Sequence, residues 1–345
     1  MSDASDFDPA GPAAYDGIYG LPHSAHAARV VLVPIPWEPT TSYRKGTAKG
    51  PAALLEASRQ VDLFDVETGK PYEGGIHLLE PDPEIGAWNE EACLHAQPII
   101  DAGGAGNDSA LIAALAKVNA LSASLDERAY AIVKRWLDAG KIVGAIGGDH
   151  ASPFGAIRAH AEKYPGMGVL HLDAHADLRD AYEGFERSHA SIMFNVLKDL
   201  PSVAKLVQIG LRDLSEEEHA LASSDPRIAA FFDADFARAL LEGATFARLL
   251  DPVVEALPKE VYVSFDIDGL DPALCPSTGT PVPGGLSFHQ ATYLLRRVVE
   301  SGRTIVGFDL NEIAPDESGD EWSANVAARL LYKMIGWTLQ SRVAR

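Results

Sequence analysis

Between His171 and Asp180 the chain reads HLDAHADLRD, with Asp173, His175 and Asp177 at alternate positions and only Ala174 and Ala176 between them. In an extended backbone alternate side chains point the same way. Two carboxylates and an imidazole then face one point, which is costly unless a positive charge sits there. The alternation returns at Asp266 and Asp268 in SFDIDGLDP, followed by Asp271. Upstream, GGDH sets Asp149 and His150 behind paired glycines, and downstream GFDLNE supplies Asp309, Asn311 and Glu312. Asp173, Asp177, Asp266 and Asp268 carry four negative charges, and His150 and His175 add two neutral imidazoles. Two divalent cations would balance that set. Carboxylates with imidazole and no thiolate suit Mn²⁺ or a neighbouring first-row ion rather than a structural zinc. Such a pair can share a water and lower its pKa toward neutrality. Taken singly, a strand-end aspartate has a plainer use as a helix cap or loop acceptor. Recurrence over separate runs favours the metal reading.

The elements that must position these residues follow from the pattern around them. KIVGAIGGDH, GVLHLDAHAD, KLVQIGLRD, EVYVSFDIDGLD and TIVGFDLNE are short apolar runs ending in polar or acidic residues. Runs without alternation suit strands covered on both faces, as in a parallel sheet. Helical segments separate most of them: PFGAIRAHAEKY, SIMFNVLKDL, FARLLDPVVEAL and SFHQATYLLRRVVESG. RVVLVPIP is a further strand, GPAALLEAS opens a helix, and residues 110–140 form one or two helices closed by Gly140. Residues 80–109 read as loop-rich. Residues 1–27 read as an irregular arm, able to close over a pocket, and 28–345 as a single domain. The expected fold is α/β, three-layer α/β/α with a mostly parallel doubly wound sheet, and ligands bind beyond the carboxyl ends of such strands.

The bulk numbers narrow the partners. Across 345 residues the net charge is −20, which disfavours nucleic acid, where clustered Lys and Arg are needed. It favours a cationic small molecule, besides serving solubility. The two cysteines, Cys93 and Cys275, have no metal-type spacing and form no disulfide framework. The acidic start MSDASDFDPAG lacks a basic region and an apolar stretch, and no run is long enough to span a bilayer; a cytoplasmic protein without membrane partners is expected.

With GGDH, DAHAD, SFDIDGLDP, TGTPVPGG and a glutamate after GFDL in this order, the chain resembles the ureohydrolase family, on its agmatinase-like branch, over about residues 30–340. The resemblance implies the arginase-like fold, a binuclear Mn²⁺ site (Ni²⁺ in some members), homotrimers or homohexamers, and hydrolysis of a guanidinium or amidine. By position it places one metal on His150, Asp173, Asp177 and Asp266, and the other on Asp173, His175, Asp266 and Asp268. Asp173 and Asp266 would bridge. It further implies that Glu312 grips the guanidinium, that His189 shuttles protons, and that Thr280 and Gly284 lie on a loop beside the site. Histidine titrates near neutrality, as a shuttle requires. Asp177, Glu312 and His189 form the expected catalytic set, with Glu312, His189 and Thr280 meeting substrate.

Other residues take ordinary roles. His171 is expected to be buried and hydrogen-bonded, His160, His219 and His289 to face solvent, and Trp322 to be core or an interface anchor. Arginase-like relatives carry neutral hydrogen-bonders after DAHTD; here Arg179, Asp180, Tyr182 and Glu183 stand in that stretch, which disfavours arginine. The expected substrate is a small guanidino compound giving urea and an amine or ammonia, agmatine first, then free guanidine or a substituted guanidine or biguanide. A two-metal phosphoesterase and a non-catalytic scaffold subunit are the competing readings; the first lacks basic residues near these motifs.

Overall fold

The computed structural model describes residues 7–315 and 321–343. Among them eight strands form one sheet: β1 (Val30–Ile35), β2 (Ile76–Leu78), β3 (Ile142–Gly147), β4 (Gly168–Leu172), β5 (Lys205–Leu211), β6 (Ile228–Phe232), β7 (Glu260–Asp266) and β8 (Thr304–Asn311). Their order is β2-β1-β3-β8-β7-β4-β5-β6, and every pairing is parallel, so the mostly parallel sheet expected is wholly parallel. Among the described residues ten α-helices accompany it: α1 (Gly50–Ser58), α2 (Pro83–Asp101), α3 (Ser109–Asp138), α4 (Phe154–Lys163), α5 (Ile192–Asp199), α6 (Glu216–Ser224), α7 (Asp233–Leu241), α8 (Phe246–Ala256), α9 (Phe288–Glu300) and α10 (Trp322–Gln340).

Alternation within each buried strand divides the layers. In β1, Val30 and Leu32 join a core with Leu54 of α1, Val253 of α8, Leu294 of α9 and Leu330 of α10. Val31, Val33 and Ile35 face the other way, against Ile85 of α2 and Leu125 of α3. In β4, Leu170 and Leu172 take the first face, while Val169 packs with Ile157 of α4 and Val196 of α5. Each fully buried aliphatic side chain of this kind contributes about 1.5–3 kcal/mol.

Strands β3 and β4 are consecutive among the named strands yet lie apart, with β8 and β7 inserted between them. Register aligns the ends of this central quartet: Ile146 pairs Leu310, Asp266 pairs Asn311, and Leu172 pairs Phe265. All four site motifs thus leave the sheet at one level.

Several expectations change. Residues 80–109 contain the 19-residue helix α2, started by Pro83 with Asp82 accepting from the Glu84 amide; the loop-rich reading holds only for the turns around it. The short edge strands β2 and β6, with α6 and α7, lie outside the runs read as elements. His160 is 1% exposed rather than solvent-facing, because α4 turns that side of the ring onto β8 at Gly307. His219 and His289 are exposed as expected. Trp322 is 47% exposed at the start of α10, so it is not core. The described part of the arm packs into the body: Tyr19 donates its amide to Ser58 Oγ and its hydroxyl to the Ala328 carbonyl. No helix among the described residues is long and apolar enough to cross a membrane.

Candidate metal centre

The rim of the central quartet gathers all six residues expected as ligands. His150 Nδ1 stands 2.9 Å from Asp173 Oδ2, 3.3 Å from Asp177 Oδ2 and 3.2 Å from Asp266 Oδ2. Ligands bound at about 2.1 Å to an octahedral ion stand about 3.0 Å from one another. The three carboxylate oxygens stand at about that spacing from His150 Nδ1. A second, outer group forms where His175 Nδ1 lies 3.4 Å from Asp173 Oδ1 and 3.1 Å from Asp268 Oδ2. Asp173 presents one oxygen to each group. Asp266 gives Oδ2 to the inner group, while Oδ1 accepts the Asp268 amide.

Hydrogen bonding settles what the inner group lacks. Ser264 Oγ donates to Asp309 Oδ1, so it accepts from His150 Nε2–H at 2.9 Å. In the neutral ring Nδ1 then carries a lone pair, aimed at three carboxylate oxygens. Asp177 Oδ2 is buried and has no hydrogen-bond partner among the described residues. Only a proton or a cation at the centre makes this arrangement favourable, and the donor set is that of a hard or borderline divalent ion. The residues fit such an ion.

The protonation pattern shows the same conflict. Burial opposes charge on His150, yet Asp173, Asp177 and Asp266 carry its pKa well above 6.5. Burial likewise opposes His175, whose neighbours Asp268 and Asp173 raise it to about 12. Asp177 is pushed to about 7 by burial and then by Asp173, and Asp266 well above its ordinary value by burial and then by Asp268. Each carboxylate cluster needs a positive partner.

Local backbone holds the donors. Asp177 and Glu312 both adopt the left-handed region, with φ of 54° and 64°. This conformation is uncommon for non-glycine residues and persists where the surroundings over-determine it. The Asp177 carbonyl accepts the Met193 and Phe194 amides at the start of α5. Glu312 donates its amide to the Gly148 carbonyl, and its Oε1 accepts the His150 amide at 2.9 Å. A Cβ at Gly148 would fall against the Trp37 backbone, so only glycine lets the β3 turn sit this close. Asp309, fully buried, also accepts from Asn311 Nδ2 at 2.6 Å.

His171 behaves as expected. Gln208 Nε2 bridges the Ala176 carbonyl and His171 Nδ1, leaving Nε2–H to donate to Asp173 Oδ2 at 2.9 Å. His171 thereby orients a ligand.

Glu312 is 5% exposed, with Oε2 buried and without a partner among the described residues, and burial followed by Asp149 lifts its pKa well above 4.5. A Cβ on Gly279 would come within 2.6 Å of Oε2. Glycine in TGTPVPGG thus makes room for the carboxylate. Beside the outer group lies a cavity of about 170 Å³, lined among others by His175, Asp177, Arg179, Tyr182, His189, Asp213 and Thr280. Gly284 sits away from this lining, against Asp233 and Arg212. No described residue of the N-terminal arm lines it. A larger cavity of about 380 Å³ lies between the arm, α1 and β2 and shares no lining residue with the site. His189 has its pKa lowered to about 4, by burial and then by His175, rather than held near neutrality.

Four contributors escaped the sequence reading, Gln208 among them. Thr40, in the loop after β1, bonds both Asp149 and His189. Ser264 sits two residues before Asp266 with the same parity, a signal that alternation alone offered. Arg212, in GLRD after β5, sends Nη2 to the carbonyls of Asp268 at 2.6 Å, Leu270 at 3.2 Å and Val282 at 3.0 Å. It staples the Asp268 turn to the TGTPVPGG loop.

Comparison with known proteins gives the family and the fold. The Arginase family model matches residues 28–336. The chain is 37% identical over 311 residues to the N(1)-aminopropylagmatine ureohydrolase of Thermus thermophilus, covering 90% of each protein. It is 31% identical over 319 residues to the agmatinase of Bacillus anthracis, covering 91% of this chain and 93% of that one. In fold it is similar to the agmatine ureohydrolase of Thermoplasma volcanium, with a TM-score of 0.70 at 23% identity over 97% and 96% of the chains. The arginase of Medicago truncatula gives a TM-score of 0.65 at 24% identity over 90% and 88%. This chain belongs to the arginase family, the ureohydrolases, which break a C–N bond of a linear amidine.

Proposed function

We propose that the enzyme hydrolyses a small guanidino compound with a cationic tail to urea and an amine, with agmatine the first candidate and N(1)-aminopropylagmatine the second. The names of the similar proteins support both. The observation that carries the reading is the charge at the mouth of the cavity. Asp213 lines it without an ion-pair partner among the described residues, while Arg179 is engaged by Glu218 at 3.3 Å and stacks on Tyr182. The free charge there is negative. A guanidino acid meets repulsion, and a second ammonium meets attraction.

His150, Asp173, Asp177 and Asp266 would hold one ion, and Asp173, His175, Asp266 and Asp268 the other. Mn²⁺ comes first and Ni²⁺ second. When bound, the ions supply the Lewis acidity that activates water at neutral pH. Glu312 grips the guanidinium plane: its buried Oε2 lacks a partner among the described residues, and a planar cation restores its charge through paired N–H bonds. His189, neutral near pH 7, takes a proton from water and passes it to the leaving nitrogen, and Thr280 bounds the cavity. Asp177 orients the attacking side by its fixed backbone. The competing phosphoesterase reading finds no unpaired Lys or Arg in the cavity lining. Homotrimeric or homohexameric assembly in the cytoplasm belongs to the same reading, and light scattering tests the assembly.

A urea-release assay over agmatine, N(1)-aminopropylagmatine, guanidinobutyrate, arginine, guanidine, a biguanide and a phosphate monoester tests the function. The expected outcome is the highest kcat/KM on a cationic-tailed substrate. Preference for guanidinobutyrate or guanidine, or hydrolysis of the phosphate ester, would overturn it.

A further inference from the structure

Thr40 lies in the loop after β1, far in sequence from every metal motif, yet it is fully buried between Asp149 and His189. Its Oγ1 makes three contacts. It lies 2.9 Å from Asp149 Oδ2, accepts the His189 amide at 3.1 Å, and stands 3.3 Å from His189 Nδ1. A hydroxyl has one hydrogen to give and two lone pairs to offer. The hydrogen goes to Asp149, the shortest contact and a carboxylate that also accepts the amides of Thr40 and Ala151. One lone pair receives the His189 amide, so the other must face an N–H at Nδ1. The neutral ring then has its remaining lone pair at Nε2, which makes no hydrogen bond among the described residues.

We propose that Thr40 and Asp149 are positioning residues that fix the tautomer of His189, keeping hydrogen on Nδ1 and leaving Nε2 open for proton exchange with the reacting groups. The proposal rests on the reading of His189 as the proton carrier. It adds a reason why a ring half-buried beside the cavity presents one nitrogen and not the other. Without the hydroxyl the ring samples both tautomers and can turn about its bonds, and the productive fraction falls. Substrate binding and the metal ligands are untouched, because Thr40 contacts neither the six candidate ligands nor Glu312 by any hydrogen bond among the described residues.

The test measures kcat, KM and bound metal for the metal-loaded enzyme and its Thr40→Val, Thr40→Ala, Thr40→Ser and His189→Asn variants, with the Thr40→Val/His189→Asn double. Thr40→Val and Thr40→Ala should lower kcat on the order of a hundredfold with KM and metal content held. Thr40→Ser, which keeps the hydroxyl, should stay within a few-fold of the parent. In the His189→Asn background, Thr40→Val should cost nothing more. Thr40→Ala carries the test if the buried valine prevents folding. A slow His189→Asn enzyme beside a Thr40→Val or Thr40→Ala enzyme at the parental rate overturns this proposal alone. So does equal loss in Thr40→Ser, or an undiminished penalty in the double variant. His189→Asn at full activity overturns the role of His189 and this proposal with it.

Discussion

Asp173 reaches His150 with one carboxylate oxygen and keeps the other for the outer group: Oδ2 lies 2.9 Å from His150 Nδ1, and Oδ1 lies 3.4 Å from His175 Nδ1. Asp268 meets the outer group alone, with Oδ2 at 3.1 Å from His175 and Oδ1 accepting the Ala174 amide. The two aspartates should therefore fail differently. Asp268→Asn is expected to weaken one ion and leave the other, whereas Asp173→Asn weakens both. Metal analysis after gel filtration checks this; equal stoichiometry in the two variants contradicts it.

Arg212 holds the Asp268 turn by its carbonyls, with three contacts from Nη2 alone. Lysine keeps the charge and loses the planar fork. Arg212→Lys should weaken the outer ion by about 10- to 100-fold, the usual cost of removing a group that orients a ligand. Calorimetric metal titration reads it, and an unchanged affinity would mean the turn stands without the staple.

Glu312 should separate substrate chemistry from metal binding. Glu312→Gln keeps the bond from the His150 amide and loses the charge facing the guanidinium. Metal content is expected to hold, while kcat/KM falls by about 100-fold or more. Gly279→Ala should act on the same group from outside, since its Cβ would lie 2.6 Å from Oε2.

Much of this site was legible because strand periodicity and metal ligation share a pattern. Asp173, His175 and Asp177, and again Asp266 and Asp268, announced themselves by alternation, and four strand ends at one rim follow from a parallel sheet. Thr40, Arg212 and Gln208 were not legible. Each acts through a contact formed when a distant loop or neighbouring strand docks, and residue type alone carries no sign of that partner. Helix α2 was obscured by Pro, Gly and acidic residues at its start, although Asp82 and Pro83 are themselves start signals. His160 was misplaced because one polar residue on a helix does not reveal which face packs on the sheet.

Buried His160 gives stability a pH dependence of definite sign. Burial, partly offset by its bond to the Ala156 carbonyl, lowers its pKa from 6.5 to about 4. The unfolded chain therefore binds more protons in that interval. The stabilisation is complete above about pH 6.5 and is lost as pH falls toward 4, by about 2 kcal/mol between about pH 7 and pH 5. Urea unfolding of the parent and of His160→Gln at both pH values isolates it. The variant should lose less on acidification, and an identical loss would contradict the assignment.

Anomalous diffraction from crystals grown with Mn²⁺ tests the two-ion centre most directly. Two peaks are expected about 3.5–4 Å apart. One should be enclosed by His150 and Asp177, the other by His175 and Asp268, with Asp173 and Asp266 touching both. A single peak, or peaks away from these side chains at full occupancy elsewhere, would contradict it.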